Sequence, residues 1–393
     1  MAYGPLARLQ AAAFALWPMA QENRVNMCRL LPSAIGNKPY AIPVVLAASL
    51  LMGWPSVSDG ATRIAVLPFQ NVSGHLEAPR IIMPIISKAV QDRGYEVVEL
   101  NSLEPFLFRH RIRATEKIRR DHLVELGKEL GVPLALVGSV DLFADTPGNP
   151  QWGISGRLLA TDSGGILWAG AAGFTGDDFT GFLGLGTVTF PDRLAELAVD
   201  RMFTDFPSGG VKAEPARSAQ AVRSRKIPGR IFRDPQLDTE PPRRVAVLPF
   251  ENGTERRGAA LIVDDLMVAG LFRVGRFDVV DPGEVLHALQ TLAVAPYGGI
   301  DLDSLRRIGE ALDADAVILG RVEDYNEGLR PGTSTSPSIA LDARMLETKT
   351  GKILWMGYHE GLGEEYQIVL DFGKIKSMVP LAMRIIADLA ETM

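Results

Sequence analysis

One segment pattern occurs twice in this sequence, and that repetition constrains the fold more than any other feature. Residues 63–71 (RIAVLPFQN) recur as residues 244–252 (RVAVLPFEN), 181 positions later. Residues 157–168 (RLLATDSGGILW) recur as 344–355 (RMLETKTGKILW), 187 positions later, with three shorter matches in the same order between them. Collinear matches of this kind predict two copies of one structural unit. The separation between matching residues is larger for the last match than for the first, which predicts a short insertion in the second copy at residues 327–338.

The repeat also predicts the domain organisation. A chain of 393 residues accommodates two or three domains of about 100–200 residues each. We predict domains at residues 62–206 and 243–393, each large enough to bury its own core. Residues 207–242 between them contain Pro, Gly, Ser and Arg without apolar periodicity, which predicts a linker.

Both copies have the same order of predicted elements. A short β-branched strand ends at Pro-Phe, and a helix, a second strand, a helical pair, a third strand, a hairpin and a closing helix follow. Strand–helix–strand units pair in parallel with a right-handed crossover, whereas a tight turn before Ile-Leu-Trp predicts antiparallel strands. We therefore predict an α/β fold with two tandem, three-layer-like domains. Each is a mixed five-stranded sheet, parallel in front and with an antiparallel hairpin at the back, packed by helices.

The amino-terminal residues 1–58 have the pattern of an export signal. Residues 41–54 (AIPVVLAASLLMGW) are apolar, follow Arg29 and Lys38, and precede small residues near Ser58. This pattern is typical of a cleaved signal, and fourteen residues are short for a bilayer span of about 20. An uncleaved anchor is the alternative, and Met27 is an alternative start. The signal, at 38–58, predicts a location in the periplasm or at the outer membrane, with extracellular release as a further alternative.

The repeated motifs resemble a known superfamily. The [IV]AVLPFxN opening, the [YF]xVV strand, the LxxGxV strand and the RxLxTx[ST]GxILW hairpin are similar to the CsgG-like curli-secretion superfamily. The opening strand also resembles the amino-terminal domain of the Tol–Pal propeller protein. The resemblance covers both copies and implies envelope proteins that bind partners or assemble, without catalytic residues. Two features depart from it: no cysteine follows the apolar run, and the domain is duplicated.

Composition and motif searches exclude several functional classes. The single cysteine, Cys28, excludes an intrachain disulfide and a cysteine-rich metal site, and the net charge of -6 disfavours nucleic acid as a partner. The five histidines lack metal-ligand spacing, and no GxSxG, Walker or GxGxxG motif occurs. We therefore predict no catalytic residues, no metal and no cofactor. A hydrolase is the least supported alternative.

Two matched loops are candidate binding sites. Asn71 and Ser73 follow the first strand of one copy, and Asn252 and Thr254 occupy the same places in the other. Open α/β sheets bind ligands at the carboxyl ends of their strands, and these side chains could donate to a carboxylate or a sugar. The structural alternative is that they stabilise turns and cap the following helix.

A basic segment belongs to the first copy alone. Residues 109–120 (RHRIRATEKIRR) hold six basic residues, and the matching residues 291–302 hold none. Four of the six are candidate ligands for anionic lipid, lipopolysaccharide or an acidic partner: Arg111, Arg113, Arg119 and Arg120. The alternative is a solvated helix face.

These observations predict a non-enzymatic, exported envelope protein. It binds or scaffolds a protein partner at the periplasmic side of the outer membrane, within a secretion or surface-assembly system, and an oligomer is compatible with this function. The main alternative is an oligomeric secretion-channel subunit. Residues 179–190 alternate only loosely between apolar and polar, which is weak support for a spanning strand.

Overall fold

The computed structural model describes residues 61–180, 186–209, 229–295, 299–330, 333–334, 336–367 and 373–393. All of them belong to one compact unit, Val57–Met393. The predicted signal at 1–58 lies outside the described residues, as do most of the predicted linker and parts of two loops. The domain boundaries at 62–206 and 243–393 remain a prediction.

In the first half of this unit, the described residues form one mixed sheet and four α-helices. Its strands are β1 (Arg63–Val66), β2 (Gln70–Asn71), β3 (Glu96–Val97), β4 (Leu134–Ala144), β5 (Gln151–Ala160) and β6 (Ile166–Thr175). Its helices are α1 (Ala78–Gln91), α2 (Leu100–Arg109), α3 (Arg120–Leu130) and α4 (Pro191–Met202). The strand order is β3-β1-β4-β5-β6, and β2 also pairs with β4. Strand β1 runs parallel to β3 and β4, whereas β4, β5 and β6 are antiparallel.

The second half repeats this arrangement and adds to it. Its strands are β7 (Arg230–Arg233), β8 (Arg244–Val247), β9 (Glu251–Asn252), β10 (Asp278–Val279), β11 (Ala316–Asn326), β12 (Leu329–Arg330), β13 (Thr333–Ser334), β14 (Ser338–Glu347) and β15 (Ile353–Leu362). Its helices are α5 (Gln236–Thr239), α6 (Ala259–Val274), α7 (Pro282–Leu292), α8 (Leu302–Leu312) and α9 (Met378–Ala390). The order of the main sheet is β10-β8-β11-β14-β15-β7, and β12 pairs with β13 within the predicted insertion.

The predicted fold class is confirmed: each half is a mixed sheet with a parallel front and an antiparallel hairpin at the back. Strand β7 is the main difference, because it lies inside the segment predicted to be a linker and pairs antiparallel with β15. Its four residues, RIFR, are too few to show the alternation of apolar and polar residues that predicts a strand from sequence. Only the neighbouring edge of β15 makes this segment a strand.

Helices α6 and α9 lie between the two sheets. They pack against each other, against β5 and β6 of the first sheet, and against β11, β14 and β15 of the second. Twelve of the sixteen residues of α6 are buried, as expected for a helix that is apolar on all sides. A Cβ at Gly270 would lie 2.4 Å from Ile386, so glycine at this position lets the two helices approach closely. One hydrophobic core therefore runs through both halves.

The two sheets differ in how their faces are covered. Helices α1 and α4 pack on one face of the first sheet, while α2, α3, α6 and α9 share the other. In the second sheet, α6 and α9 cover one face, but α7 and α8 cover only part of the other. The exposed part comprises the outward side chains of β14, β15, β7 and the end of β11; we call it the open face. Antiparallel strands tolerate such one-sided exposure, because polar side chains can alternate with buried ones.

None of the helices in the described ranges is long and apolar enough to cross a bilayer.

Candidate functional site

A reversal of the chain follows helix α2, and we call residues 108–113 the basic turn. The Arg111 N–H donates to the Phe108 carbonyl at 3.1 Å, and the Ile112 N–H donates to the Leu107 carbonyl at 2.9 Å. This pair of bonds is a Schellman motif, in which glycine usually occupies the left-handed position. Here that residue is Arg111, with φ 54°. A left-handed arginine costs about 1 kcal/mol, so its surroundings must impose the conformation.

Contacts on both sides hold the basic turn in place. Ile112, within the turn, is partly buried and packs against the hydrophobic core. Beyond the turn, the Thr115 hydroxyl donates to the Pro68 carbonyl, and the Glu116 carbonyl accepts from Arg157 Nη2 at 2.5 Å. The turn is therefore a fixed projection on the first half.

The side chains of the basic turn combine an exposed ring with unpaired positive charge. Phe108 is 87% exposed. Arg111 and Arg113 are also exposed, and neither forms an ion pair with the part of the chain that the structure describes. Arg109 differs, because its Nη1 lies 2.8 Å from Glu129 Oε2. These side chains border a shallow cavity of about 680 Å³ lined by Asn101, Glu104, Pro105, Leu107, Phe108, Arg111, Ile112 and Arg113.

The structure separates the other two candidate arginines from this pair. Arg119 Nε donates to Asp121 Oδ1 at 3.0 Å. Arg120 Nε lies 3.7 Å from Glu284 Oε1 on α7 of the second half. Burial raises the pKa of Glu284, and the charge of Arg120 opposes that rise. Only Arg111 and Arg113 thus share a surface with Phe108, whereas Arg119 and Arg120 lie in ion pairs.

The first candidate loop uses its polar side chains internally. Asn71 Nδ2 donates to the His75 carbonyl at 2.8 Å, and Ser73 Oγ donates to Asn71 Oδ1 at 2.7 Å. The His75 N–H in turn donates to Ser73 Oγ at 3.2 Å. The last of these bonds forms an ST turn, in which a serine hydroxyl accepts from the backbone N–H two residues later, and together the bonds close the loop.

The matching loop of the second half has the same geometry. Asn252 Nδ2 donates to the Arg256 carbonyl at 3.0 Å, and Thr254 Oγ1 donates to Asn252 Oδ1 at 2.8 Å. The geometry of both loops thus fits the structural alternative. Ligand binding at Asn71, Ser73, Asn252 and Thr254 stays a prediction.

A buried ionic junction joins the halves, and sequence reasoning missed it. Arg157 on β5 donates from Nη1 to Asp265 Oδ1 at 2.7 Å and from Nε to Asp281 Oδ2 at 3.0 Å. Asp265 lies on α6, and Asp281 caps the start of α7. The three side chains are at most 4% exposed. A buried guanidinium requires such paired acceptors, because an unpaired charge in the interior is costly.

Two more buried carboxyls lie at this contact between the halves. Asp264 Oδ2 is 3.8 Å from Lys117 Nζ, and burial raises the pKa of Asp264 to about 7 against the opposing charge of Lys117. Burial likewise raises the pKa of Asp141 on β4 to about 7, although the Ser139 hydroxyl donates to that carboxyl. The described part of the chain supplies no hydrogen-bond donor to Asp141 Oδ2.

One signal in the sequence could have indicated the junction. Asp264 and Asp265 interrupt a helix that is otherwise apolar on all sides, and such a helix is typically buried. Adjacent carboxylates in a buried helix require cationic partners from elsewhere in the fold. The sequence does not reveal which cations these are, since Lys117 and Arg157 belong to the other half.

The open face of the second sheet presents a row of mixed character. Arg344, Met356 and Phe232 are successive cross-strand partners on β14, β15 and β7. Arg344 is exposed, and Met356 and Phe232 are 41% and 45% exposed. The next row includes Asp342 and Tyr358. Apolar and charged side chains are therefore adjacent on one uncovered surface.

Within the described ranges, no group of three or more His, Cys, Asp or Glu side chains could hold a metal ion. Residues 179–190 give only weak support for a spanning strand, and residues 181–185 of this segment lie outside the described residues.

Comparison with known proteins gives weak structural similarities only. No family model and no curated protein sequence matches the chain. Among solved structures, a PelC dodecamer from Paraburkholderia phytofirmans is 17% identical, with 38% of this chain and 87% of that chain covered and a TM-score of 0.27. Lipoprotein GNA1162 from Neisseria meningitidis is 18% identical over 29% of this chain and 79% of its own, with a TM-score of 0.26. The LpoB C-terminal domain from Escherichia coli is 18% identical over 30% and 83%, with a TM-score of 0.22. Similarity at this level carries no argument about what the present chain binds.

Proposed function

We propose that the protein is a non-enzymatic, exported scaffold of the bacterial envelope that binds a protein partner on the open face of its second sheet. The export pattern at 41–54 supports the location, at the periplasmic side of the outer membrane. A role in a secretion or surface-assembly system follows from the sequence resemblance and is part of the proposal.

The observation that carries the proposal is the contrast between matched faces of the two sheets. In the first sheet, the face bearing Arg157 is occupied by helices α6 and α9. In the second sheet, Arg344 occupies the position matching Arg157, and its face is open. The matching face of the first sheet thus already packs against helices of this chain.

The internal contact also indicates the chemistry of the partner. Arg157 is held by Asp265 on an apolar helix. We therefore expect the partner to present a helix with an acidic residue for Arg344, and apolar residues to cover Met356 and Phe232. Arginine, methionine and aromatic side chains are enriched in protein interfaces, and Arg344, Met356 and Phe232 belong to these types.

The experiment is site-specific photocrosslinking in the bacterial envelope. A photoreactive residue at Met356 is expected to crosslink one partner of constant mass, and Arg344→Glu is expected to reduce that product at least about tenfold through charge reversal. The matched control is Arg193→Glu, since Arg193 is an exposed arginine on α4 of the first half. Fractionation tests the location separately.

The outcomes are distinct. A crosslinked product with twice the mass of the chain would show that the open face binds a second copy of this protein instead of a different partner. The same crosslink yield in Arg344→Glu as in the wild type would contradict the proposed surface. Recovery of the protein in the cytosolic fraction would contradict the envelope function as a whole.

A further inference from the structure

We propose that the basic turn is a membrane-binding element that inserts Phe108 into an anionic lipid surface, with Arg111 and Arg113 contacting the lipid phosphates. The turn and the open face belong to different elements, so this inference goes beyond the proposed function and stands on separate observations. It concerns a surface contact made by one projecting turn, without a spanning segment.

The first observation is the exposure of an aromatic side chain on a fixed projection. Phe108 is 87% exposed, although removing a phenylalanine side chain from water is favourable. The left-handed Arg111 and the anchored Ile112 fix the direction of the turn. An apolar side chain that is held outward gains from entering the boundary between headgroups and acyl chains.

The second observation is the charge around that ring. Arg111 and Arg113 line the same cavity as Phe108 and are free of ion pairs with the described residues, whereas Arg109 is paired with Glu129. A free arginine near an anionic membrane is worth about a fivefold change in binding. Glu104 borders the same cavity and opposes part of this attraction. The balance is positive, although the whole chain carries a net charge of -6.

The small size of the turn favours a lipid surface over a protein partner. A stable protein interface buries about 800 Å² on each partner, which needs some 20–30 residues. The basic turn presents six residues around one ring. Interfacial membrane binding needs only a few apolar side chains and adjacent positive charge.

The test is co-sedimentation of the mature, exported protein, from which the apolar signal has been removed, with lipid vesicles. One set contains phosphatidylcholine alone, and the other contains phosphatidylcholine and phosphatidylglycerol in equal amounts. We expect binding to the anionic vesicles only, and weakening as salt screens the charges. Phe108→Ala is expected to reduce binding about tenfold, and Arg111→Gln with Arg113→Gln about 25-fold together.

Matched controls separate this effect from general changes. Phe190→Ala removes another exposed phenylalanine, which is 73% exposed. Arg80→Gln with Arg193→Gln removes the same charge from α1 and α4 of the first half. We expect both controls to bind like the wild type. Because all of these side chains are exposed, unfolding temperatures are expected to stay unchanged.

A dye at the turn provides an independent readout. In this mature protein, from which Cys28 is removed with the signal, Phe108→Cys labelled with an environment-sensitive dye is expected to shift to shorter wavelength on anionic vesicles, and Phe190→Cys is not. Equal binding to both vesicle sets, unchanged binding of Phe108→Ala, or no dye shift would each overturn the proposal. The proposal would also be overturned, in favour of a protein partner, if an acidic peptide displaced the protein from the vesicles and binding did not depend on the lipid composition.

Discussion

The two sheets share one strand order, but they differ in the side chains on one face. This face bears Arg157 in the first sheet and Arg344 in the second. In the first sheet, this face carries Ser155, Ala169 and Gly173, and all three are buried. The matching residues of the second sheet are Asp342, Met356 and Glu360, which are larger or charged and more exposed. The duplication kept the order of elements, while side-chain size and charge on this face came to differ.

Small side chains explain why α6 and α9 cover this face of the first sheet, whereas part of the matching face of the second sheet is open. A Cβ at Gly173 would lie 2.8 Å from Ser377 Oγ and 3.0 Å from Val379 Cβ, so α9 approaches the strand as closely as glycine permits. Glu360 in the matching position would prevent such an approach. A few residues per strand therefore determine whether a face of this shared strand arrangement is covered by helices or left open.

The largest expected effect distinguishes the two matched arginines. Arg157→Ala would leave Asp265 and Asp281 buried without their cation, and we expect it to lower the free energy of unfolding by about 3–5 kcal/mol. Arg344→Ala on the open face should change it by less than about 0.5 kcal/mol. Urea denaturation measures both values. Equal losses would mean that the junction does not hold the halves together.

The second prediction concerns pH. The pKa values of Asp141 and Asp264 are raised to about 7 in the folded protein, whereas unfolded aspartate titrates near 3.8. Between these values the unfolded chain releases protons that the folded chain keeps, so the free energy of unfolding should fall as pH rises from about 4 to about 7. We expect a loss of about 2–4 kcal/mol per carboxyl.

The asparagine variants test this pH dependence. Asp264→Asn and Asp141→Asn should each flatten the curve over that window, as measured by denaturation at a series of pH values. Asp342→Asn on the open face serves as the control, and its curve should follow that of the wild type. A wild-type curve that rises between pH 4 and 7 would contradict the raised pKa values.

The third prediction exchanges side chains between the faces. Ala169→Met would place a long side chain where α6 and α9 pack, and we expect a destabilisation of about 1–3 kcal/mol from overpacking. The reverse exchange, Met356→Ala, removes a partly exposed side chain and should cost less than about 0.5 kcal/mol. Thermal unfolding measures the loss of stability in both variants. Similar losses would show that side-chain size does not explain why one face is covered by helices and the other is open.

The smallest expected effect concerns a feature that the halves share. Asn71→Ala and Asn252→Ala each remove matched hydrogen bonds within an exposed loop, and each should cost about 1 kcal/mol. Chemical denaturation measures both. A much larger loss in one half would show that its loop has a role that the other lacks.

The sequence indicated the repeated elements because their signals are local. The recurrence of IAVLPF and VAVLPF identified β1 and β8, and the turn before Ile-Leu-Trp identified the hairpins β5–β6 and β14–β15. Apolar periodicity identified α9. Such signals need only neighbouring residues, because strands and helices have fixed periods of about 2.0 and 3.6.

Candidate sites were only partly predictable for the same reason. The basic segment was visible as a cluster of arginines, but its division into a free pair and an ion-paired set depends on where α2 ends and on Glu284 of the other half. The exposure of Phe108 likewise depends on the turn that follows it.

The sequence by itself determined that the chain contains two like mixed sheets, since strand order follows from motifs that occur twice. Tertiary structure alone decided how they combine: β7 joins the edge of β15, and Arg157 meets Asp265 and Asp281, which lie 108 and 124 positions away. The physical reason is that buried charges and strand edges are stabilised by partners distant in sequence, and local patterns carry no record of which partners those are.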